Sequence, residues 1–444
     1  MNLTELGKLY REAGIVGAGG AGFPTYAKLT DKADTILLNC AECEPLLRLH
    51  RQLLKFHAEE IIEAFDLTRK TMGAKQGIVC VKSHYKGAIA AVTALLPQYP
   101  SLKIHLLPVV YPAGDEVVMI YDAVGRVVRP GGLPIEQGVA VFNVETMYNA
   151  YHALKGEAVT SKLVTVAGEV ESPKTVRVPL GAELSEVVAL AGKETIENGV
   201  YWVGGPMMGR IAGRSETVTK TTNSIFVLPE NNRVVDKFES DWKIEKARAA
   251  ASCCQCRMCT DLCPRFNLGH PIEPHKIMHA AACNDFQDVS AFLNTFYCSG
   301  CGVCENFSCP QGLSPRKLVL KVKGGLRAAG VKPPKDVKVN PVNPAREYRK
   351  VPLDRLVARL GVKKYQVDAP LNNELVDGFD EVKESLSQHI GAPAKAVVKV
   401  GDKVTRGQLI AEAADGLSVN IHASVTGIVT RADEKTITIV KANV

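Results

Sequence analysis

Helical and strand-like hydrophobic patterns alternate along the N-terminal part of the chain. Apolar residues follow helical spacing at 3–15, 50–72 and 85–96, and strand-like apolar runs occur at 35–38, 77–81, 103–108 and 138–142. Asp115 and Glu116 open one further helix. This alternation of helices and short apolar strands predicts a parallel or mixed α/β sheet.

The pattern changes after residue 160. Residues 163–226 show short strands and turns with one helix at 184–191, and residues 241–326 are mostly helical between two cysteine-rich loops. A stiff proline- and lysine-rich connector follows, and the chain then returns to short strands. We therefore predict a multidomain α/β protein with an α/β domain at 1–160, a strand-rich domain at 161–235, a helical cysteine-rich domain at 241–330, a linker at 331–354 and a C-terminal domain at 355–444.

Composition narrows the class of protein. The 444 residues, 46% of them hydrophobic, are enough for several domains, and no run of about 18 apolar residues predicts a membrane-spanning helix. The N-terminus lacks the basic and apolar regions of a signal peptide, and thirteen cysteines fit a reducing compartment, so we expect a cytoplasmic protein. The net charge of +7 is spread out and aromatic residues make up only 6%, which argues against a nucleic-acid platform.

Ten of the thirteen cysteines fall between residues 253 and 309. The run at 253–264 has the spacing C-x2-C-x2-C-x3-C-P of two-cluster bacterial ferredoxins, and the run at 298–310 has one extra residue before its last cysteine. In this arrangement the fourth cysteine of each run faces the neighbouring cluster. The spacing predicts two [4Fe-4S] clusters, one held by Cys253, Cys256, Cys259 and Cys309 and the other by Cys298, Cys301, Cys304 and Cys263.

Paired zinc sites are the alternative interpretation, because C-x2-C pairs also bind zinc. Zinc knuckles use two cysteine pairs per metal, whereas each triplet here has a distant fourth cysteine followed by proline, which favours the clusters. The remaining cysteines and histidines of this part are expected to be ordinary helix positions. They are Cys254, Cys283, His270, His275 and His279.

A glycine-rich loop at 17–25 follows the first helix. Four glycines in six residues let the backbone approach a ligand and direct several amides at one point, which suits a phosphate. The loop precedes every predicted strand, so it is not the fingerprint of a standard dinucleotide fold. Polar residues at 39–45 and 143–146 end two strands, where open α/β sheets bind ligands. Cys40 and Cys43 are expected to be a packed thiol pair.

Together with Gly114-Asp115-Glu116, these motifs resemble, in the same order, the flavin- and NADH-binding subunit of respiratory complex I and the RnfC component of the Rnf electron-transport complexes. The resemblance implies a Rossmann-like domain that binds FMN and NADH, with Phe23 and Glu44 near the nicotinamide. The cofactor-binding residues that it implies are Gly17, Gly19, Gly20, Gly22, Phe23, Lys28, Asn39, Glu42, Glu44, Glu116, Asn143 and Thr146.

Two positions depart from the complex I pattern. Ala18 replaces an arginine of its glycine-rich loop, and Ala41 replaces an aspartate of its strand-end turn. A missing guanidinium weakens the charge assistance available to a phosphate. We therefore expect FMN to bind more loosely than in complex I.

The remaining domains carry resemblances of their own. Residues 163–226 resemble a β-grasp module of the soluble-ligand-binding type, which we expect to be a spacer or partner surface because no titratable cluster accompanies its glycines. The strands around 397–411 and 422–429 resemble the barrel-sandwich fold of biotinyl and lipoyl carriers. The segment between them, 412–420, has no lysine to carry a cofactor, so a docking or structural role is expected.

Domain order narrows the resemblance further. The RnfC component of the Rnf complexes has its barrel sandwich ahead of the flavin domain, whereas here the sandwich follows the two-cluster ferredoxin-like domain. This order resembles the cobalamin reductases of propanediol-utilisation microcompartments. That family implies an NADH-dependent oxidoreductase that passes electrons from NADH through FMN and two [4Fe-4S] clusters to cobalamin, recycling the cofactor of a diol dehydratase.

The same resemblance implies partners and a location. NADH and cobalamin are the implied small-molecule partners, an adenosyltransferase and shell proteins are the implied protein partners, and a bacterial microcompartment is the implied location. No catalytic side chain is predicted, because the cofactors carry the chemistry. Two alternatives stay open: an Rnf-like electron-transfer subunit with a protein acceptor, and a non-catalytic electron-relay scaffold.

Overall fold

A parallel sheet forms the centre of the N-terminal domain in the computed structural model, which describes residues 1–335 and 337–442. Its strands are β1 (Thr35–Cys40), β2 (Gln76–Lys82), β3 (Leu102–Leu107) and β5 (Val139–Asn143), and a short β4 (Val110–Tyr111) lies outside it. The order is β3-β2-β1-β5. Strands β2 and β3 lie on one side of β1, and β5 lies on its other side. The carboxyl ends of β1 and β5 therefore flank the topological switch point, where such sheets bind ligands.

Helices cover both faces of this sheet. They are α1 (Leu3–Glu12), α2 (Leu49–Phe56), α3 (Ala58–Thr71), α4 (Lys86–Leu95), α5 (Glu116–Val124) and α6 (Val144–Leu154). Helix α5 packs on one face, and the others pack on the opposite face. Asp115 and Asn143 are the N-caps of α5 and α6, and their side-chain oxygens accept hydrogen bonds from the first backbone amides of each helix.

A mixed six-stranded sheet follows. It contains β6 (Ser161–Gly168), β7 (Lys174–Pro179), β8 (Gly199–Val203), β9 (Arg210–Ala212) and β10 (Ser224–Pro229), with α7 (Leu184–Ala189) between β7 and β8. Its sixth strand, β12 (Leu371–Leu375), comes from much later in the chain and pairs in parallel with β7. The order is β12-β7-β6-β10-β8-β9.

The cysteine-rich part is helical and has a small apolar core of its own. Its helices are α8 (Arg233–Glu239), α9 (Trp242–Ser252), α10 (Met258–Asp261), α11 (Pro264–Asn267), α12 (Pro274–Cys283), α13 (Val289–Leu293) and α14 (Pro315–Ala328). Residues from α9, α12 and α14 pack around the cysteine loops.

Two small antiparallel sheets form the C-terminal part. After β11 (Val351–Pro352) and α15 (Leu353–Leu360) come β13 (Glu381–Ser385), β14 (Lys395–Ala396), β15 (Lys403–Val404), β16 (Leu409–Glu412), β17 (Ile421–His422), β18 (Gly427–Ala432) and β19 (Thr436–Lys441). The sheet orders are β13-β19-β18-β15 and β14-β16-β17. One continuous apolar core joins these sheets to the six-stranded and N-terminal sheets, since Phe65, Val166 and Ile439 all belong to it.

The structure differs from the sequence prediction at three places. The helix expected at 50–72 is two helices with a break at His57. The expected linker at 331–354 contains β11, which pairs with β4, while its residue Asp336 lies outside the described residues. Residues 355–375 pack with other parts of the chain, because α15 joins the β4 region and β12 extends the six-stranded sheet. No helix of the described residues is long and apolar enough to cross a membrane.

Candidate functional site

A cavity of about 260 Å³ lies at the carboxyl ends of β1 and β5. Ten of the twelve predicted cofactor-binding residues line it, and the two that do not are Glu42 and Glu44. The lining residues are Gly17, Gly19, Gly20, Ala21, Gly22, Phe23, Thr25, Lys28, Asn39, Glu116, Val141, Phe142, Asn143 and Thr146. The structure therefore brings together residues that are far apart in sequence.

Two asparagines fix the strand-end side of the cavity. Asn39 Nδ2 donates to the Gly114 carbonyl (3.1 Å), which holds the turn before α5 against the end of β1. Asn143 Oδ1 accepts from the amide of Glu145 (2.9 Å) at the start of α6. Both side chains thus hold a helix start beside the cavity, where helix dipoles favour an anion.

The glycine loop closes the other side. The Gly17 amide donates to the Phe23 carbonyl (2.9 Å), and the Ala18 amide donates to Thr146 Oγ1 (3.1 Å). A Cβ built on Gly19 would lie 2.3 Å from Asn143 Nδ2, so the loop backbone approaches the strand end more closely than any other residue type allows. Ala18 is 1% exposed and does not line the cavity.

The donors at the cavity fit the phosphate of a flavin mononucleotide. Lys28 Nζ lies 2.9 Å from the Val141 carbonyl and 3.5 Å from Glu116 Oε1, so it brings a positive charge to the cavity. Thr25 Oγ1 is buried and has no hydrogen-bond partner among the described residues, and a Cβ on Gly20 would meet only open space. A buried hydroxyl without a partner is rare unless a ligand completes it. Thr25 was missed as a site residue, although it ends the glycine loop.

The two predicted residues outside the cavity have other partners. The Glu42 carboxylate accepts from Arg51 Nε (2.6 Å) and from the His50 amide (2.8 Å). Burial raises the pKa of Glu42, but Arg51 and His50 hold it below its ordinary value. Glu44 accepts from the Met207 amide (2.8 Å), and its Oε1 is buried with no hydrogen-bond partner in the described part of the chain. Burial raises its pKa to about 7.

The first cysteine group converges on a small cavity of about 20 Å³ beside α12. Its predicted ligands Cys253, Cys256, Cys259 and Cys309 all line this cavity. Burial raises the pKa of the Cys259 thiol to about 12, and the neighbouring thiols, Cys309 first among them, raise it as well. Four thiols around one dry cavity are the donor set of an iron-sulfur cluster, because positively charged iron stabilises the thiolates.

The thiols of the second predicted group also lie near one another. Burial raises the pKa of the Cys263 thiol, and the nearby thiols of Cys301 and Cys298 raise it further. Gly300 and Gly302 adopt left-handed φ angles of 75° and 77°, and the Gly300 amide approaches Cys298 Sγ (3.4 Å). These glycines wrap the loop around the thiols.

The geometry bears on the zinc alternative and on the remaining residues. Among the described residues, no three Cys, His, Asp or Glu side chains are placed to hold a single metal ion. Cys254 and Cys283 are exposed, His270 bonds the Val128 carbonyl (2.9 Å), and His275 bonds Thr260 (2.9 Å).

Two contacts join the cysteine-rich part to the cavity domain. Arg265, two residues after Cys263, donates to the Asp115 carboxylate (2.8 Å), which caps the helix whose first residue lines the cavity. The Tyr111 hydroxyl donates to the Cys301 carbonyl (2.7 Å). The second cysteine group is therefore the one that lies against the cavity domain.

Relatives cover nearly the whole chain. It is 40% identical over 444 residues to the cobalamin reductase PduS of Salmonella typhimurium, which is 99% of this chain and 97% of the relative. It is 41% identical over 434 residues to the cobalamin reductase PduS of Citrobacter freundii, at 97% and 95% coverage. The chain belongs to this family of cobalamin reductases. The family predicted from the motifs and the domain order is thus confirmed.

Domain families match in the predicted order. The Nuo51 FMN-binding domain matches residues 10–152, the SLBB domain 163–211, the 4Fe-4S dicluster domain 252–314 and the RnfC barrel sandwich hybrid domain 366–443. These matches confirm the predicted FMN-binding and two-cluster domains of a multidomain α/β protein. The roles of individual residues in binding stay predictions.

More distant relatives share parts of the chain. One component of the Na+-translocating ferredoxin:NAD+ oxidoreductase complex of Acetobacterium woodii is 31% identical over 270 residues, which is 60% of this chain and 58% of that protein. A crystal structure of an NAD+-reducing [NiFe]-hydrogenase in the H2-reduced state matches with a TM-score of 0.50 at 22% identity. The match covers 76% of this chain and 65% of the hydrogenase chain, and it shows a shared fold.

A second, more open cavity of about 1030 Å³ lies on the six-stranded sheet domain. Two of the charged residues that line it are paired with each other: Arg214 donates to both carboxylate oxygens of Glu194, and it also donates to the Tyr201 hydroxyl. The expectation of a spacer or partner surface for this domain stays a prediction.

Proposed function

We propose that the protein is an NADH-dependent flavo-iron-sulfur reductase that delivers electrons to cobalamin. One observation carries the proposal: the candidate flavin cavity and the second cysteine group lie on either side of the same short segment. Tyr111 at one end of that segment holds the Cys301 loop, and Glu116 at the other end lines the cavity. A donor site and a first acceptor are thereby held next to each other.

The side chains of the cavity bind and orient rather than react. When bound, FMN accepts a hydride from NADH and releases single electrons, which the clusters carry one at a time. Lys28, Thr25 and the glycine-loop amides are proposed to hold the flavin phosphate. Phe23 is 37% exposed at the cavity and offers an aromatic surface on which a nicotinamide can stack.

The two cysteine groups differ in their surroundings, which supports an order of electron transfer. The group containing Cys301 lies against the cavity domain, whereas Cys256 of the other group is exposed to solvent. We infer that Cys263, Cys298, Cys301 and Cys304 would hold the cluster nearer the flavin cavity, which would be the entry point for electrons. Cys253, Cys256, Cys259 and Cys309 would hold the cluster nearer solvent, which would be the exit point toward an acceptor.

The acceptor is tested anaerobically. Purified protein, reconstituted with FMN and iron-sulfur clusters, is mixed with NADH and then with cob(III)alamin or cob(II)alamin while visible spectra are recorded. Bleaching of flavin and clusters followed by a cobalamin change is the expected result. Bleaching without a cobalamin change would favour an Rnf-like carrier with a protein acceptor. A protein that NADH does not reduce would favour the relay scaffold.

The cluster ligands are tested by iron content. Cys256→Ala and Cys301→Ala should each remove one cluster and lower the iron from about eight to about four atoms per chain. Cys283→Ala is the matched control, because this exposed thiol belongs to neither group. Full iron content in both cluster variants would contradict the ligand assignment.

Finer features of the fold are part of the proposal. We propose a Rossmann-like flavin domain at 1–160, a β-grasp domain at 161–235 and a ferredoxin-like domain at 241–330. A Pro/Lys-rich linker is proposed at 331–354 and a barrel-sandwich domain at 355–444, and the family match at 366–443 supports the latter. Limited proteolysis with mass spectrometry tests these boundaries.

Location and protein partners also remain proposals. Location inside a bacterial microcompartment, with shell proteins and an adenosyltransferase as partners, is supported by the domain order that resembles this family. Co-purification of the full chain with each candidate partner tests it, and a chain that binds neither would contradict it.

A further inference from the structure

Lys220 is a buried cation that contacts three parts of the chain. It lies between β9 and β10 and is 2% exposed. Its Nζ donates to the Gly14 carbonyl (2.7 Å), just before the glycine loop, and to the Asn420 carbonyl (3.0 Å) of the C-terminal domain. Within residues 1–335 and 337–442, no carboxylate lies within 4.0 Å of it. Burying an ammonium group whose only acceptors are backbone carbonyls costs free energy.

The residues around Lys220 also contact the far end of the glycine loop. The Lys220 amide donates to Gln388 Oε1 (3.0 Å). A Cβ on Gly22 would lie 3.0 Å from Thr221 Cγ2, 3.0 Å from His389 Cα and 3.2 Å from the Gln388 carbonyl oxygen. Both ends of the loop that lines the flavin cavity are therefore held by residues outside the flavin domain.

The C-terminal hairpin at 412–420 makes further hydrogen bonds to the flavin domain. Arg11 of α1 donates to the Ala414 carbonyl (2.9 Å) and accepts, through its own carbonyl, from the Asn420 amide (3.1 Å). The Tyr26 hydroxyl, just after the loop, donates to the Gly416 carbonyl (2.9 Å). The hairpin that resembles the cofactor-bearing turn of a carrier is thus docked beside the flavin cavity.

A glycine-rich loop without such support loses more conformational entropy when it orders around a ligand. We propose that Lys220 is a positioning residue that, with the docked hairpin at 412–420, fixes the glycine loop in its flavin-binding shape. Flavin binding and docking of the C-terminal domain are then coupled, and the coupling is reciprocal. This inference rests on the proposed function, because it needs the flavin to occupy the cavity.

The charge state of Lys220 is consistent with a structural role. Burial lowers its pKa to about 7, and the buried Glu384 raises it. His389 and His422 also face it, and burial lowers the pKa of both imidazoles, with Lys220 adding to the effect. The direct acceptors of Lys220 Nζ are the Gly14 and Asn420 carbonyls, and the Glu384 carboxylate supports the ammonium from beyond hydrogen-bond distance.

The test compares Lys220→Met with Lys399→Met, an exposed control in the C-terminal domain. FMN affinity of the flavin-free, cluster-loaded protein is measured by fluorescence titration, and amide hydrogen exchange is followed at 14–24 and 412–420. We expect Lys220→Met to weaken FMN binding at least tenfold while Lys399→Met does not. We also expect FMN to slow exchange at 412–420 in the wild type and much less in Lys220→Met.

The outcomes separate this inference from the proposed function. Wild-type protein that binds no FMN would overturn both. Wild-type protein that binds FMN while Lys220→Met binds it equally well, or FMN binding that leaves exchange at 412–420 unchanged, would overturn the coupling alone. If Lys220→Met fails to fold, Tyr26→Phe is the second variant: it removes only the hydroxyl that donates to the Gly416 carbonyl and accepts from the Ser418 amide (3.3 Å), and it must weaken FMN binding in the same direction.

Discussion

Replacing Gly19 by alanine tests the closest approach in the flavin cavity. The new methyl group would lie 2.3 Å from Asn143 Nδ2 and 2.9 Å from Asn143 Cγ, roughly 1 Å inside ordinary contact. Gly19 does not have a positive φ angle, so the backbone itself tolerates alanine. The strain must be relieved by moving the Asn143 amide or the loop.

Either movement disturbs binding. Asn143 Oδ1 caps α6, and loss of such a cap costs about 1 kcal/mol, while overpacking of this kind costs about 1–3 kcal/mol. Because each 1.4 kcal/mol is tenfold in affinity, Gly19→Ala should weaken FMN binding roughly tenfold to a hundredfold. Gly7→Ala in α1 is the control, since its Cβ would meet nothing within 4 Å.

The assay is titration of flavin-free protein with FMN, followed by flavin fluorescence, at equal iron content in all proteins. An unchanged dissociation constant for Gly19→Ala would refute the packing argument. A weakened constant for Gly7→Ala would show that the effect is not specific to the cavity.

Three further predictions concern the contacts between the flavin domain and the cysteine-rich domain, and the buried carboxyl group of Glu384 in the C-terminal domain. Tyr111→Phe leaves the Cys301 carbonyl without its donor, which should lower the free energy of unfolding in urea by about 1–3 kcal/mol. In stopped-flow spectra it should slow cluster reduction by NADH while flavin reduction stays fast. Arg265→Met leaves Asp115 unpaired and should lower stability by about 2–4 kcal/mol, with the midpoint of thermal unfolding as the measurement. Burial raises the pKa of Glu384 to about 7, above its value of about 4.3 in the unfolded chain. The free energy of unfolding should therefore fall by up to about 3 kcal/mol as pH rises from about 4.5 to about 7. Glu384→Gln should flatten that pH dependence in urea unfolding.

Each prediction has a result that contradicts it. Equal rates of cluster reduction in wild type and Tyr111→Phe would remove the Cys301 contact from the electron path. A thermal midpoint of Arg265→Met that matches the wild type would mean that the ion pair adds nothing to the domain join. A pH slope that persists in Glu384→Gln would assign the titration to another group, with Glu44 the next to test because burial raises its pKa as well.

The parts of the site that the sequence predicted are those set by local spacing. A cluster demands closely spaced thiols, so the cysteine runs predicted both groups that the structure assembles. Asn39 and Asn143, which both line the cavity, belong to strand-end motifs whose resemblance to a known family can also be read over a few residues. Both kinds of signal span only a few residues of chain.

Residues whose partners are distant in sequence could not be placed in this way. Glu44 bonds an amide 163 residues away, and Lys220 bonds a carbonyl 206 residues away, so neither pattern nor spacing reveals those contacts. The same holds for the pairing of β12 with β7, which no pattern in the sequence indicates. A strand pattern states that a segment is extended but not which neighbour it joins.

Because the C-terminal sandwich contacts α1, the order of the domains along the chain does not by itself determine their arrangement in space. Because Asn420 and Ala414 bond Arg11, a sandwich encoded ahead of the flavin domain could reach the same position through a short connector. A circular permutation that moves the sandwich to the front would then preserve the assembly. A chain with the sandwich first and a chain with the sandwich last can therefore share the same three-dimensional arrangement of domains.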